Sequence, residues 1–366
     1  MIENGLPQVD KHKVVVLTIT YNHSKYIEDT LKGFAMQQTD FPFLCCVFDD
    51  ASTDGEQEVL KKWIDDNCNP DDIEVYDHPL TTILKSPDKM NPNCVYVVHL
   101  QKVNTWGKPE KKRLINYWSK FGEYIAFCEG DDYWTDPYKL QKQVDYMESH
   151  LNCSLLHTSF MFYDQDNHTL KDSIIDNEIY REAFLKKKNI ACEIIDFKYR
   201  VVTATSLFKS KIYDQLLNDP EYTKHKFLLG DIQLWTMLLQ YGDIGYIPDN
   251  TAVYRVNSNS VCRSTNIKTG ARFSLSVAEM QMYFIPKVNG VEYLQEKFKN
   301  NFKKGLFKYR LFDPQYKSFI KLEESELPLL YRVILSNVFT RSMVLFVWWL
   351  KRKVLRNSPT KVSSMK

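Results

Sequence analysis

Three short apolar runs, each breaking off into polar or acidic residues, constrain this chain more than any other feature. Residues 14–19 give way to Thr20-Tyr21-Asn22, residues 43–48 to Asp49-Asp50, and residues 124–128 to Glu129-Gly130-Asp131-Asp132. Runs this short and uniformly apolar read as strands buried on both faces. Between the first two, apolar residues recur at helical spacing over 26–36, and 59–64 sit in a second helix. Strand, helix and strand in that order predict βαβ units and a parallel sheet. Right-handed crossovers then set the loops after these strands along one sheet edge, where open α/β sheets bind ligands.

Further along, residues 95–100 predict a strand, 110–120 a helix, and 139–150 a helix with Leu140, Val144 and Met147 on one face. Residues 153–163 and 201–208 read as strands flanking a polar turn and a lysine-rich helix. An apolar helix over 232–239 is opened by Gly230-Asp231. Residues 66–93, rich in Pro, Asn and Asp, read as an irregular excursion, and amphipathic helices follow Arg255. The expected division is an α/β domain over 1–255 and a helical region over 256–366.

Composition removes several function classes. A net charge of only +2 argues against a nucleic-acid binder. No GxGxxG follows the first strand, as a dehydrogenase would need, and no G-K-[S/T] triplet marks a P-loop. The eight cysteines show no CxxC spacing and read as reduced, buried thiols of a cytoplasmic protein. The N-terminus lacks an apolar signal region, and no apolar stretch is long enough to span a bilayer. Charge is nevertheless segregated: after Glu326 there are eight Lys or Arg and no Asp or Glu. Within that tail, residues 344–350 form an apolar run flanked by Arg341 and Lys351-Arg352-Lys353. The expectation is a peripheral helix on an anionic membrane surface, with Trp348 and Trp349 at the interface. The competing reading packs it on the body.

Glu129, Asp131 and Asp132 bring three carboxylates to one strand end, where they repel unless a cation joins them. Mg²⁺ or Mn²⁺ on a diphosphate takes one or two carboxylates plus phosphate oxygens. A solvated acidic turn that caps the next helix is the plainer alternative. Asp50, ending a second strand, could accept from the N3–H of a uracil ring, or simply cap a helix. Tyr21 could stack on a base, with the small polar Thr20 and Asn22 beside it at the ribose.

Taken together, Thr18-Ile19-Thr20-Tyr21-Asn22, Asp49-Asp50-Ala51-Ser52-Thr53-Asp54-Gly55 and Glu129-Gly130-Asp131-Asp132-Tyr133-Trp134 resemble family 2 glycosyltransferases. The likeness is to the bacterial branch with the EGDDYW form of the metal motif, over roughly residues 13–255. It implies an α/β fold of the GT-A type with a helical C-terminal appendage, a nucleotide-sugar donor, a glycan or lipid-linked acceptor, and inversion. Carried over residue by residue, Tyr21 stacks on the base, Asp50 reads it, and Asp131 and Asp132 serve the ribose and the metal-diphosphate. Glu129 stands where many relatives have aspartate, leaving open whether Glu129 or Asp132 accompanies Asp131 on Mn²⁺ or Mg²⁺. Asp231 resembles the general base that takes the acceptor proton, and its alternative is an N-cap. Arg255 resembles a phosphate-steadying residue, and its alternative is a structural ion pair. Asn257 stands where many relatives have His. Lys108, Lys111, Lys112 and Arg113 read as a solvated helix face, with phosphate contact as the alternative. The rival functions are a sugar nucleotidyltransferase, which would need a glycine- and basic-rich phosphate loop near the N-terminus, and an idle sugar-nucleotide-binding or scaffold protein.

Overall fold

The computed structural model describes residues 6–172, 190–225, 227–256, 266–288 and 292–356. Four strands form its parallel heart: β1 (His12–Thr20), β2 (Phe43–Asp49), β5 (Cys94–Gln101) and β6 (Gly122–Phe127). β2, Phe-Leu-Cys-Cys-Val-Phe-Asp, is buried at every position, as a central strand covered by helices on both faces must be. It pairs in parallel with β1 and β5, and β1 pairs in parallel with β6. The crossovers are α1 (Ile27–Ala35), α2 (Glu56–Asn67) and α3 (Pro109–Ser119). In α1 the buried residues Ile27, Leu31 and Phe34 lie one turn apart along a single stripe, each stabilising the sheet contact by roughly 1.5–3 kcal/mol.

The remaining strands make the sheet mixed. β3 (Glu74–His78) and β4 (Thr81–Pro87) add an antiparallel hairpin to the β5 edge. The expected irregular excursion over 66–93 is therefore partly a hairpin. β3 is mostly exposed and edge-placed, so it has no apolar run to announce it. Beyond β6 the order continues through β10 (Leu207–Lys209), β8 (Cys153–Asp164) and β11 (Asp243–Val256) to β7 (Tyr133–Trp134), with β9 (Thr169–Asp172) on β8. β8 and β11 are parallel, while β10 runs antiparallel to both its neighbours. The strand expected over 201–208 is confined to β10, because Thr203–Thr205 close a 3₁₀ turn first. α4 (Lys139–Ser149) buries Leu140, Val144 and Met147 as its spacing required. The lysine-rich helix expected before β10 falls largely outside the described residues, as does Asn257.

An α/β architecture with a large sheet flanked by helices, followed by C-terminal helices, is thus what the chain adopts. It divides into two compact units, Met1–Lys226 with Gly230–Ser258, and Phe227–Leu229 with Asn259–Lys366. The second is helical. Leu275 and Ala278 of the Ile267–Phe284 helix meet Phe302 and Leu306 of the Gln295–Arg310 helix. Gly305 permits that approach, since a Cβ there would lie 3.2 Å from the Leu275 Cα.

Candidate active site at the carboxyl edge of the sheet

The ends of β1, β2 and β6 meet through their own backbones. Thr20 is in register with Asp49, and the Asp50 N–H donates to the Thr20 carbonyl at 3.1 Å. The Cys128 and Gly130 N–H groups donate to Leu17 and Ile19, at 3.4 and 3.2 Å. Gly130 allows the acidic turn to lie against β1, because a Cβ there would come within 2.1 Å of the Thr20 Oγ1.

The β1 and β2 loops are stitched together side chain by side chain. Asn22, in left-handed backbone at φ 58°, accepts from the Thr53 N–H at 2.8 Å and donates its own N–H to Ser52 at 2.9 Å. Asp54 accepts from the Ser24 N–H at 3.0 Å. At the centre lies Glu56, the fully buried first residue of α2. One of its oxygens accepts from the Thr20 hydroxyl, and the other from the His23 N–H and the Ser52 hydroxyl, at 2.8 and 2.9 Å. Burial raises its pKa against the pull of those hydrogen bonds. Tyr21 is left 44% exposed. Glu56 and His23 are residues the sequence reading missed. The signal for Glu56 was a carboxylate just past Gly55, which reads equally as helix-start chemistry.

Asp50 is 1% exposed and already engaged. Its Oδ1 accepts from the Thr105 N–H and hydroxyl, both at 2.7 Å, and its Oδ2 pairs with the Lys111 Nζ at 2.9 Å. Burial pushes its carboxyl up, but these bonds prevail and hold it below the usual range. Lys111 is therefore no member of a solvated face: it is buried and lies over the exposed Trp106 ring, 5.3 Å from its centroid.

The three carboxylates of the acidic turn have different surroundings. Glu129 is pushed up to about 7, first by burial and then by the Asp131 and Asp231 charges, against a hydrogen bond from Thr203. Its Oε2 is buried and has no hydrogen-bond partner among the described residues. Asp131 is the more open one, its side chain 22% exposed, with His23 Nε2 3.9 Å from its Oδ2. Asp132 is buried, its Oδ1 accepting from the Arg255 N–H at 2.8 Å. Burial, with Asp131 and Glu129 adding to it, drives its pKa well up. Among the described residues, no three His, Cys, Asp or Glu are gathered closely enough to hold a metal ion. The orphaned Glu129 oxygen and the Asp131 carboxylate make two hard oxygen donors, the number that Mg²⁺ or Mn²⁺ takes beside substrate phosphates.

Arg255, near the end of β11, is occupied by the protein itself. Its Nε donates to the Asp131 carbonyl at 2.8 Å, Nη1 to Gln165 at 2.8 Å and Nη2 to Asp29 at 2.9 Å. The rings of Tyr26, Tyr133 and Tyr163 surround the guanidinium at 4.7–5.3 Å. This is the arrangement of the structural ion pair. Asp231 lies in the first turn of the Gly230–Leu238 helix, its carboxyl raised by burial and opposed by the Ile232 N–H. A hollow of about 440 Å³, lined by Lys13, Gly122 and Glu123 among others, is at the opposite, N-terminal edge. Lys13 there is already paired with Glu123 at 2.8 Å and Glu148 at 2.5 Å, so we assign it no chemistry.

Residues 15–81, which hold most of β1, all of β2 and their loops, match the family model described as Glycosyl transferase family 2. An uncharacterized protein of Mycobacterium tuberculosis (strain H37Rv), Rv1520, is 25% identical over 253 residues, 68% of this chain and 60% of the relative. The chain thus spans less than two thirds of that relative's length. A putative teichuronic acid biosynthesis glycosyltransferase of Bacillus subtilis (strain 168), TuaG, is 25% identical over 254 residues, 69% of this chain and 82% of TuaG. Among solved structures, Staphylococcus aureus TarS 1–349 in complex with UDP-GlcNAc aligns at a TM-score of 0.47 and 17% identity, covering 86% of this chain and 77% of TarS.

Proposed function

We propose that this chain is an inverting, metal-assisted glycosyltransferase of the GT-A type. It moves a sugar from a nucleotide-sugar donor, UDP-linked in our reading, to a hydroxyl of a glycan or lipid-linked acceptor. The observation that carries the proposal is the meeting of three strand ends at one edge, where Tyr21 is exposed and the turn after β6 carries Glu129 and Asp131. The match of residues 15–81 to the glycosyltransferase family supports it. The name of the B. subtilis relative suggests a cell-envelope polysaccharide as the product.

In this reading Tyr21 offers a stacking face to the base, and Thr20 and Asn22 hold the loop that presents it. Asp50, through Thr105 and Lys111, fixes the neighbouring strand end where the base is read. Glu129 and Asp131 would hold Mn²⁺ or Mg²⁺, which when bound neutralises charge on the leaving diphosphate. Asp132 and Arg255 keep the turn in place from behind. Asp231 accepts the acceptor's hydroxyl proton as its oxygen bonds to the anomeric carbon, and the bond to the diphosphate breaks on the opposite face. Burial makes Asp231 a stronger base than an exposed aspartate.

A panel of UDP-, dTDP- and GDP-sugars, assayed for binding and turnover with and without Mn²⁺, tests the reading. Asp231→Asn should leave donor affinity near normal and lower transfer at least about a hundredfold. Undiminished transfer in that variant would return Asp231 to a capping role. Donor binding with no turnover for any sugar and acceptor would favour an idle binding protein.

A further inference from the structure

The last two described helices, Leu329–Ser336 and Val338–Arg356, expose large apolar side chains where a water-soluble surface would carry charge. Leu329, Leu330 and Val333 on the first are 52–67% exposed. On the second, Phe339, Met343, Phe346 and Leu350 recur at i, i+4, i+7 and i+11, and are 39–73% exposed. That spacing sets all four on one stripe. Other parts of the same helices are tied down within the helical unit. Tyr331 stacks on Phe307 at 4.0 Å, and Trp348 meets Phe312 at 6.0 Å. The exposed stripe is therefore a face of an anchored element.

Contiguous apolar surface of this kind marks a protein or membrane interaction site, and charge decides between them. Eight Lys or Arg and no Asp or Glu follow Glu326. A second copy docking here would bring two such cation-rich tails together, at a cost in repulsion. An anionic bilayer satisfies apolar and cationic groups together. Among the described residues no single helix is long and apolar enough to cross a membrane; only the two together, bent by 105° where they join, reach that length and apolarity.

We propose that the two-helix element is a docking surface for an anionic lipid bilayer. The Phe339–Met343–Phe346–Leu350 stripe enters the boundary between headgroups and acyl chains, and the net positive charge of the sequence after Glu326 draws the element to anionic lipid. The inference stands apart from sugar transfer, and its readout is binding alone. The test is co-sedimentation of the full chain with phosphatidylcholine vesicles, with and without phosphatidylglycerol. Phosphatidylglycerol should tighten binding at least about tenfold, and high salt should reverse most of the gain. Phe339→Ser with Phe346→Ser should weaken binding at least about tenfold, with helix content by circular dichroism unchanged. Arg332→Gln with Arg341→Gln should reduce only the phosphatidylglycerol-dependent part. Equal binding to both vesicle types, or none, would overturn the proposal. So would a dimer by light scattering that the serine variant dissociates, since a second copy would then cover the stripe.

Discussion

At the scale of single residues, Glu56 shows how a buried charge is kept in register. Its two oxygens hold three donors from two loops, so removing it frees Thr20, His23 and Ser52 together. Hydrogen bonds to a charged group contribute about 1.5–3 kcal/mol each. Glu56→Gln keeps the shape but loses an acceptor, and should weaken nucleotide affinity about tenfold or more, with Glu56→Ala weaker still. Turnover at saturating donor should change little, because Glu56 sits behind the site. Calorimetry with UDP would measure this, and unchanged affinity in both variants would refute the positioning role. The partnership was not legible in the sequence. Glu56 lies 36 positions from Thr20, and Lys111 61 positions from Asp50. A helix-start carboxylate and a lysine in a basic run look alike whether exposed or buried.

At the scale of elements, legibility followed apolar continuity. β1, β2, β5 and β6 announced themselves because strands covered on both faces have no polar positions to break the run. The β3–β4 hairpin did not, since an edge hairpin needs few apolar residues. The 3₁₀ turn at Thr203–Thr205 likewise interrupted a stretch whose composition suited a strand. The acidic turn after β6 was legible as a carboxylate cluster at a strand end but not as packing: its glycine is a contact requirement. Gly130→Ala would drive a methyl group into Thr20, costing about 1–3 kcal/mol, the usual range for overpacking. Unfolding free energies from urea titration should fall by that amount, and Thr20→Gly in the same chain should recover part of it. Additive losses in the double variant would mean that the two residues are not in the contact described.

For the whole α/β unit, two buried histidines contribute an acid sensitivity, against which buried carboxylates with raised pKa values such as Glu129 and Asp132 act in the opposite sense. His99 and His157 are each held down to about 3 by burial. Below pH 6.5 the unfolded chain takes up these protons and the folded chain does not. The contribution of these two histidines is therefore fully present above 6.5 and is lost as pH falls toward 3. Between pH 6.5 and 5 the loss should be on the order of 2 kcal/mol for each histidine, read from denaturant midpoints. His99 lies between Phe48 and Trp118, with ring centroids at 4.7 and 5.6 Å, and neither of its nitrogens has a partner among the described residues. His99→Phe should raise stability at neutral pH and remove about half of the acid sensitivity. A variant as acid-sensitive as the wild type would show that the loss arises elsewhere.

The stitching of the β1 and β2 loops has a kinetic consequence. Asn22, Ser24, Ser52, Thr53, Asp54 and Glu56 hold one another before any ligand arrives. Under the proposed function, a nucleotide settling on Tyr21 would meet loops already held in place, with little ordering entropy left to lose. Capture at this edge is then governed by encounter and by how long the ligand stays, with no slow rearrangement of these loops in between.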